Sequence, residues 1–305
     1  MVRASLIVLN WQGTEVIAPC LDSLLKASHE RDEVIVVDNA STDGSREYLQ
    51  TRDDIRLVEL DENAFIFGLN LGLAAARGEY VAFLNNDIVV EPDFVDACVL
   101  GFSAGDDVFA VCPRILEQSG LDQGSRTAAT WHRGILFYRV LPHSNEPTDC
   151  FFAVGGQSFF RRKMLQQIGS IDPLFWPMYH EDIELSYRAW KRGWRVRYAP
   201  DAIVHHHGGH SSQRAFTRGQ LRSFVRQNEY LTVWKNVHDP RLLFEHLMLM
   251  LPRLAVAAAR GDWPTLVGFG RAASRARAAI RARRRASVHA RLSDRETLSR
   301  ITQIP

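Results

Sequence analysis

The chain has 305 residues, 46% of them hydrophobic and 24% charged, which suffices for one large α/β domain with an appendage or for two modest domains. A formal net charge of +2 rules out any argument about partners from global charge, although residues 271–285 (RAASRARAAIRARRR) are densely basic and carry no acid. Cys20, Cys98, Cys112 and Cys150 form no CxxC pair, which argues against a disulfide framework or a zinc knuckle and for a reducing compartment.

The opening apolar run, 5–9, lacks a cleavage-type segment and reads as a first strand, not a signal peptide. Further strand-like runs lie at 33–37, 56–60 and 80–84, with helix-length stretches at 14–26 and 45–50. Strands alternating with helices predict a parallel sheet covered on both faces, with ligands beyond the carboxyl ends of its strands. The first strand leads to Asn10, Trp11, Gln12 and Gly13. That is not the glycine-rich phosphate loop with a basic residue that a nucleotidyltransferase needs. The second strand runs into VDNASTDGS. Asp38 there can accept hydrogen bonds from a pyrimidine N–H or from ribose hydroxyls. Equally, it can cap the strand exit while Ser41 or Asp43 caps the next helix. The fourth strand ends in Asn85, Asn86 and Asp87, and alternation puts Asn85 and Asp87 on one side. Asp87 can hold Mg²⁺ or Mn²⁺ together with a diphosphate, or the segment is a polar turn before the helix that opens at Glu91, Pro92 and Asp93.

Residues 113–150 are polar and irregular and predict loops or a hairpin that shape a pocket. A helix is expected over 182–192, with Ile183, Tyr187 and Trp190 on one face and Gly193 stopping it. At its start, Glu181 and Asp182 suit a general base and an acceptor-binding group, or first-turn acids that offset the helix dipole. Strands at 195–198 and 202–206 follow, then His207, Gly208, Gly209 and His210. On a strand His205 and His207 face one side and His206 the other, so one histidine sharing a cation with Asp87 is more economical than a dedicated zinc site. Beyond 211 the pattern is helical and increasingly basic. The apolar run 242–259 contains Glu245, His246, Pro252 and Arg253, which suits a helix at an interface or against the domain better than one crossing a bilayer. Arg253, Arg260 and the 271–285 arginines alternate with Leu254, Val256 and Ile280. This favours an anionic lipid surface or leaves a solvated face or tail. The rival to an enzyme is a non-enzymatic protein that binds nucleic acid or membrane through these arginines. Trp11, Trp131 and Trp176 offer sugar-stacking surfaces or core packing.

In this order the segments resemble the family 2 glycosyltransferases, over about residues 4 to 212. The resemblance is carried by SLIVLNWQ, VDNASTDGS, Asn70 to Gly72, and Gly78, Glu79 and Tyr80 leading to LNND. It continues through Gly155 and Gly156, Phe160-Arg161-Arg162, the IGSID segment, and HEDIELSYRAWKRGWRVRYAPDAIVHHHGGHSS. It implies an α/β GT-A fold with a mostly parallel central sheet flanked by helices. A catalytic domain would span 1–212, with a nucleotide-sugar half to about 105 and an acceptor half after it, followed by a basic helical extension, 213–305.

The resemblance also implies inverting, metal-dependent sugar transfer. Asp38 would contact the donor base, with Asn10, Asn85 and Asn86 at the nucleotide. Asp87 would be the metal ligand of the motif usually written DxD, and His206 the second metal ligand. Asp182 would be the catalytic base and Glu181 would hold the acceptor, while Gly155 and Gly156 let the backbone approach the sugars. Two positions depart from the pattern: Asn85 stands where many members carry the first Asp, and Ala64 where a glycine is common. Similarity to bacterial rhamnosyltransferases of cell-surface polysaccharide assembly implies dTDP-L-rhamnose, or a UDP-sugar, as donor and a glycan or lipid-linked acceptor. It further implies a cytoplasmic site peripheral to the inner face of the membrane, and no nucleic-acid partner.

Overall fold

The computed structural model describes residues 1–117, 119–206 and 210–305. The amino-terminal half alternates β1 (Ala4–Asn10), α1 (Ile17–Ala27), β2 (Asp32–Asp38), α2 (Ser45–Gln50), β3 (Arg56–Glu59), α3 (Gly68–Ala75) and β4 (Tyr80–Asn85). These strands pair in parallel in the order β3-β2-β1-β4. The pleat sends successive side chains to opposite faces. Leu6 and Val8 therefore pack with Ile17, Leu21 and Leu24 of α1 on one side, while Ile7 packs with Leu69 and Leu73 of α3 on the other. Burial on both faces is why the strands read as continuous apolar runs.

The chain continues through β5 (Ile88–Val90), α4 (Phe94–Gly101), β6 (Val108–Leu116), β7 (Thr127–His132), β8 (Ile135–Val140), β9 (Thr148–Cys150), β10 (Gln157–Arg161), α5 (Arg162–Ile168), α6 (Glu181–Lys191) and β11 (Arg195–His206), with β7 and β8 forming a separate two-stranded sheet. Beyond β4 the order is β10-β6-β11-β5, with β9 also on β11. This half is mixed: β10 runs antiparallel to β4 and β6, whereas β6 and β11 are parallel. Two expected strands are one, because β11 continues through Pro200 by shifting register against β6 between Ala199 and Ile203. Proline has no N–H for the ladder, and a bulge absorbs the gap. In the irregular segment the expected hairpin is β7–β8, turning at Arg133 and Gly134, whose φ values are 50° and 78°. Two positive φ values match the strand twist in a tight hairpin.

The carboxyl-terminal part is helical: α7 (His210–Ala215), α8 (Arg218–Asn236), α9 (Pro240–Ala259), α10 (Trp263–Ser274), α11 (Ala276–Val288) and α12 (Asp294–Thr302). Capping boxes at Thr217/Gln220 and Ser293/Glu296 start α8 and α12, and Asp239 with Pro240 starts α9. The anticipated boundary at 212/213 falls inside α7, and packing continues across it. Asn228 of α8 donates to the carbonyls of Phe175 (3.0 Å), Met178 (3.1 Å) and Tyr179 (2.7 Å). Asp294 of α12 accepts from Tyr187 at 3.0 Å and Lys191 at 2.6 Å.

Among the described residues α9 alone has the length and apolarity to cross a membrane, with a mean hydropathy of 1.6. One side of it is tethered to the hairpin. Buried His246 donates from Nδ1 to the Gly134 carbonyl (2.6 Å) and accepts from Trp234 at Nε2 (2.9 Å), while Trp131 donates to Glu245 (2.7 Å). The other side exposes Phe244, Leu247, Met248 and Leu251.

Candidate active site

The carboxyl ends of β1 and β4, the start of β10, the amino end of α6 and the end of β11 surround a cavity of about 370 Å³, within the range of small-molecule sites. Asn85, Asn86, Asp87, Gly155, Glu181, Asp182 and His206 all line it. Asn10, Asp38 and Gly156 do not.

Antiparallel pairing of β5 with β11 sets His206 opposite Ile88, beside Asp87. His206 Nε2 lies 3.4 Å from Asp87 Oδ1, and both side chains are largely buried. On its other side, His206 Nδ1 meets Gln123 Oε1 at 3.1 Å. A carbonyl oxygen there holds the proton on Nδ1 and leaves the Nε2 lone pair directed at Asp87. His205, on the opposite face, pairs with Glu91 at 2.8 Å, and His207 lies outside the described residues. A carboxylate oxygen and an imidazole nitrogen facing one point suit Mg²⁺ or Mn²⁺, provided diphosphate oxygens and water complete the shell. The described residues hold no cluster of three metal-binding side chains; Asp87 and His206 are a facing pair.

The chain enters α6 through Tyr179 and His180, both left-handed at φ 68° and 69°. Non-glycine residues pay for that conformation only when packing enforces it. Here the Asn228 amide grips the Met178 and Tyr179 carbonyls from α8. The sharp turn directs the first acids of α6 to the cavity. Asp182 Oδ2 accepts from the Gly155 N–H (3.1 Å) and Oδ1 from the Ile183 N–H (2.8 Å). Burial pushes the Asp182 carboxyl above the ordinary range while these N–H groups pull it down. Burial, and secondarily the neighbouring Asp182, pushes Glu181 up to about 8. Among the described residues Glu181 Oε2 has no hydrogen-bond partner, nor does Oε1 of buried Gln157, which also lines the cavity.

The base contact expected of Asp38 is not available at the cavity wall. The carboxylate is fully buried, accepting from Asn10 Nδ2 (2.9 Å), the Ser41 N–H (3.1 Å) and Arg46 Nε (2.7 Å). Asn10 in turn accepts from Asn86 Nδ2 at 2.8 Å. Asp38 and Asn10 thus brace the wall from behind. Gly156 has φ +82°, and a Cβ on it would fall 2.2 Å from Asn85 Oδ1; it makes room for Asn85. Gly155 contributes its N–H to Asp182. Gln157 opens β10 directly after a turn with positive φ at Gly156, so strand alternation from Gly155 gave no signal for it. Gln123, in an irregular stretch, carried none. Trp11 lines the cavity, Trp131 tethers α9, and Trp176 stacks on Phe67 with ring centroids 5.5 Å apart.

A sheet of this order, with its cleft where β4 and β10 part, is the GT-A architecture of nucleotide-sugar-dependent glycosyltransferases, and solved structures share it. Staphylococcus aureus TarS 1–349 in complex with UDP-GlcNAc matches with a TM-score of 0.61 at 15% identity, covering 99% of this chain and 91% of that one. GalNAc-T7 with UDP, GalNAc and Mn²⁺ matches with a TM-score of 0.63 at 16% identity, covering 78% and 49%. Residues 5–169 match the model of glycosyl transferase family 2, and the chain belongs to that family. A Nostoc protein named as an uncharacterized glycosyltransferase is 29% identical over 183 residues, and the match spans 57% of this chain and 56% of that protein.

Proposed function

We propose that this protein is a metal-dependent, inverting glycosyltransferase that moves one sugar from a nucleotide-diphosphate donor to an acceptor hydroxyl. The observation that carries the reading is the 3.4 Å approach of His206 to Asp87 on the wall of the cavity that also holds Asp182. Two adjacent buried carboxyls do not readily ionise together. Asp182, with two backbone N–H partners, keeps the charge, and Glu181 keeps a proton to share with the acceptor. Asp182 takes the proton of the acceptor hydroxyl, whose oxygen attacks the anomeric carbon. The bond from that carbon to the diphosphate breaks on the opposite face, its electron pair leaving with the diphosphate. A single displacement inverts the centre. A divalent cation bound by Asp87 and His206 would supply positive charge to the leaving group. The unpartnered carboxyl of Glu181 and carbonyl of Gln157 suit a hydroxyl-rich ligand.

The resemblance to rhamnosyltransferases supports dTDP-L-rhamnose as donor, a lipid-linked glycan as acceptor and a role in cell-surface polysaccharide synthesis. Transfer should be measured from dTDP-L-rhamnose and from UDP-sugars with Mg²⁺ or Mn²⁺. The expected result is turnover that EDTA abolishes, and Mn²⁺ binding in the presence of the nucleoside diphosphate at least about tenfold weaker in His206→Ala. Protein that neither transfers nor hydrolyses any sugar nucleotide, but binds DNA with a steep salt dependence, would establish the non-enzymatic rival.

The same reading places the enzyme on the cytoplasmic face of the membrane, where a lipid-linked acceptor resides. The exposed apolar side of α9 supports it. Flotation with phosphatidylglycerol vesicles should recover the full chain, and Phe244→Ser/Leu247→Ser/Leu251→Ser should stay at the bottom of the gradient. Equal recovery of the two removes the membrane contact.

A further inference from the structure

A second cavity, of about 650 Å³, opens between the carboxyl end of α6, the end of α8 and one face of α11. The face α11 turns to it carries Ala278, Arg281, Ala282, Arg285 and Ala286, and His289 follows at the helix's carboxyl end. These fall at helical three- and four-residue intervals, where a helix packed on a domain ordinarily presents large apolar side chains. Arginines separated by alanines leave an open, cation-lined groove instead.

The charges around the groove do not balance. Arg188, Lys191, Arg192 and Lys235 line it together with Arg281 and Arg285. The carboxylates that answer them are Asp172 on the wall, and Glu184 and Asp294 behind it. Those three are engaged by Arg188, Lys191 and Lys235. Among the described residues Arg192 meets only the Gln167 carbonyl, at 3.1 Å, and the ring of Trp194. Arg281, Arg285 and His289 have no carboxylate partner among the described residues. Crowding of like charge is felt nearby: burial lowers the His238 pKa, and Lys191 and Arg283 lower it further. Asn236, buried where it lines the groove, has an Oδ1 without a partner.

We infer that this groove is a phosphate-binding site, separate from the catalytic cavity, for a phosphate ester that also carries a hydroxyl group. Guanidinium forks match phosphate oxygens in pairs. Residues four apart on a helix have Cβ atoms about 5–6 Å apart, so Arg281 and Arg285 can grip one phosphate together. The alanines between them admit it to the helix surface, Arg192 closes the far wall, and Asn236 Oδ1 accepts the hydroxyl. Such a ligand can be a soluble phosphate ester or a lipid headgroup.

Glycerol phosphate, titrated into the full-length protein in EDTA so that no cation loads the Asp87–His206 pair, should bind. Arg281→Ala/Arg285→Ala should weaken that binding at least about tenfold, because charge-assisted hydrogen bonds are lost. Asp87→Ala should leave it unchanged, which separates this site from the donor site. Unchanged UDP affinity with Mg²⁺ in the double variant certifies its fold. Phosphatidylglycerol vesicles, against phosphatidylcholine vesicles, identify the source: arginine-dependent vesicle binding that glycerol phosphate does not reproduce assigns a lipid headgroup. If the double variant equals the parent with both probes, or the parent binds neither, there is no such site.

Discussion

Replacing Asp182 by Asn lowers the rate of sugar transfer from saturating donor by about 10²–10⁴-fold, the usual worth of a positioned general base, with nucleoside-diphosphate binding retained. The amide keeps the size of the carboxylate but cannot take the proton. It can also accept only one of the two N–H groups, from Gly155 and Ile183, that the carboxylate accepts, so a modest loss of melting temperature accompanies the kinetic effect. The pH profile carries the second signature. Burial raises the Asp182 carboxyl, so parental turnover falls on acidification at a pH above the ordinary carboxylate range, as the base becomes protonated. The residual activity of the variant loses that limb. Single-turnover kinetics with calorimetric binding of the nucleotide separate the two quantities. Lost nucleotide binding with intact turnover of bound donor would take the base role away from Asp182.

The second large effect is on stability and lies outside the cavity. Lys235 of α8 reaches Asp172 at 2.5 Å and Glu184 at 2.7 Å, with its own side chain 4% exposed. Changing Lys235 to Met preserves much of its volume but leaves the buried Glu184 carboxylate short of a cation, which typically costs about 3–5 kcal/mol. Arg188, 2.8 Å from Glu184, places the expected loss near the lower end. A fall in the urea midpoint at constant slope measures it. The pH dependence is explicit. Despite burial, which opposes it, attraction to Arg188 and Lys235 holds the Glu184 carboxyl down at about 2 in the fold, below its ordinary 4.5. Its contribution is therefore complete above 4.5 and is lost as pH falls towards 2, so parent and variant should converge there. A variant as stable as the parent at neutral pH would show that α8 is not what braces the segment leading into α6.

Much of the site was legible because its parts sit where strands stop. The apolar runs before Asp38 and Asn85, and the helical spacing of Ile183, Tyr187 and Trp190, are local patterns. In a sheet buried on both faces a cleft forms beyond the carboxyl ends of the strands, and Asn85, Asn86 and Asp87 line it. The alternation that separated His205 from His206 was likewise local, and the structure turns the two to different partners. Gln157 was not within reach of the same reasoning, because the turn at Gly156 interrupts any alternation from Gly155. The depth of Asp38 was also out of reach, because its neighbours Asn10 and Arg46 come from β1 and α2. Gln123, whose contact with His206 crosses an irregular segment, was equally out of reach.

The alternating apolar runs and their polar ends by themselves determined the α/β class and placed Asn85 to Asp87 and Asp182 at element ends that border the cavity, because side-chain period and strand exit depend on neighbouring residues; the ordered motifs carried the family resemblance. Tertiary structure alone decided that His206 meets Asp87, that Asp38 lies behind the wall, that α8 holds the turn into α6, and that α9 and α11 leave one apolar face and one cationic groove open. Those are contacts between distant segments. They follow from strand pairing and helix packing across the whole chain, which no local repeat encodes.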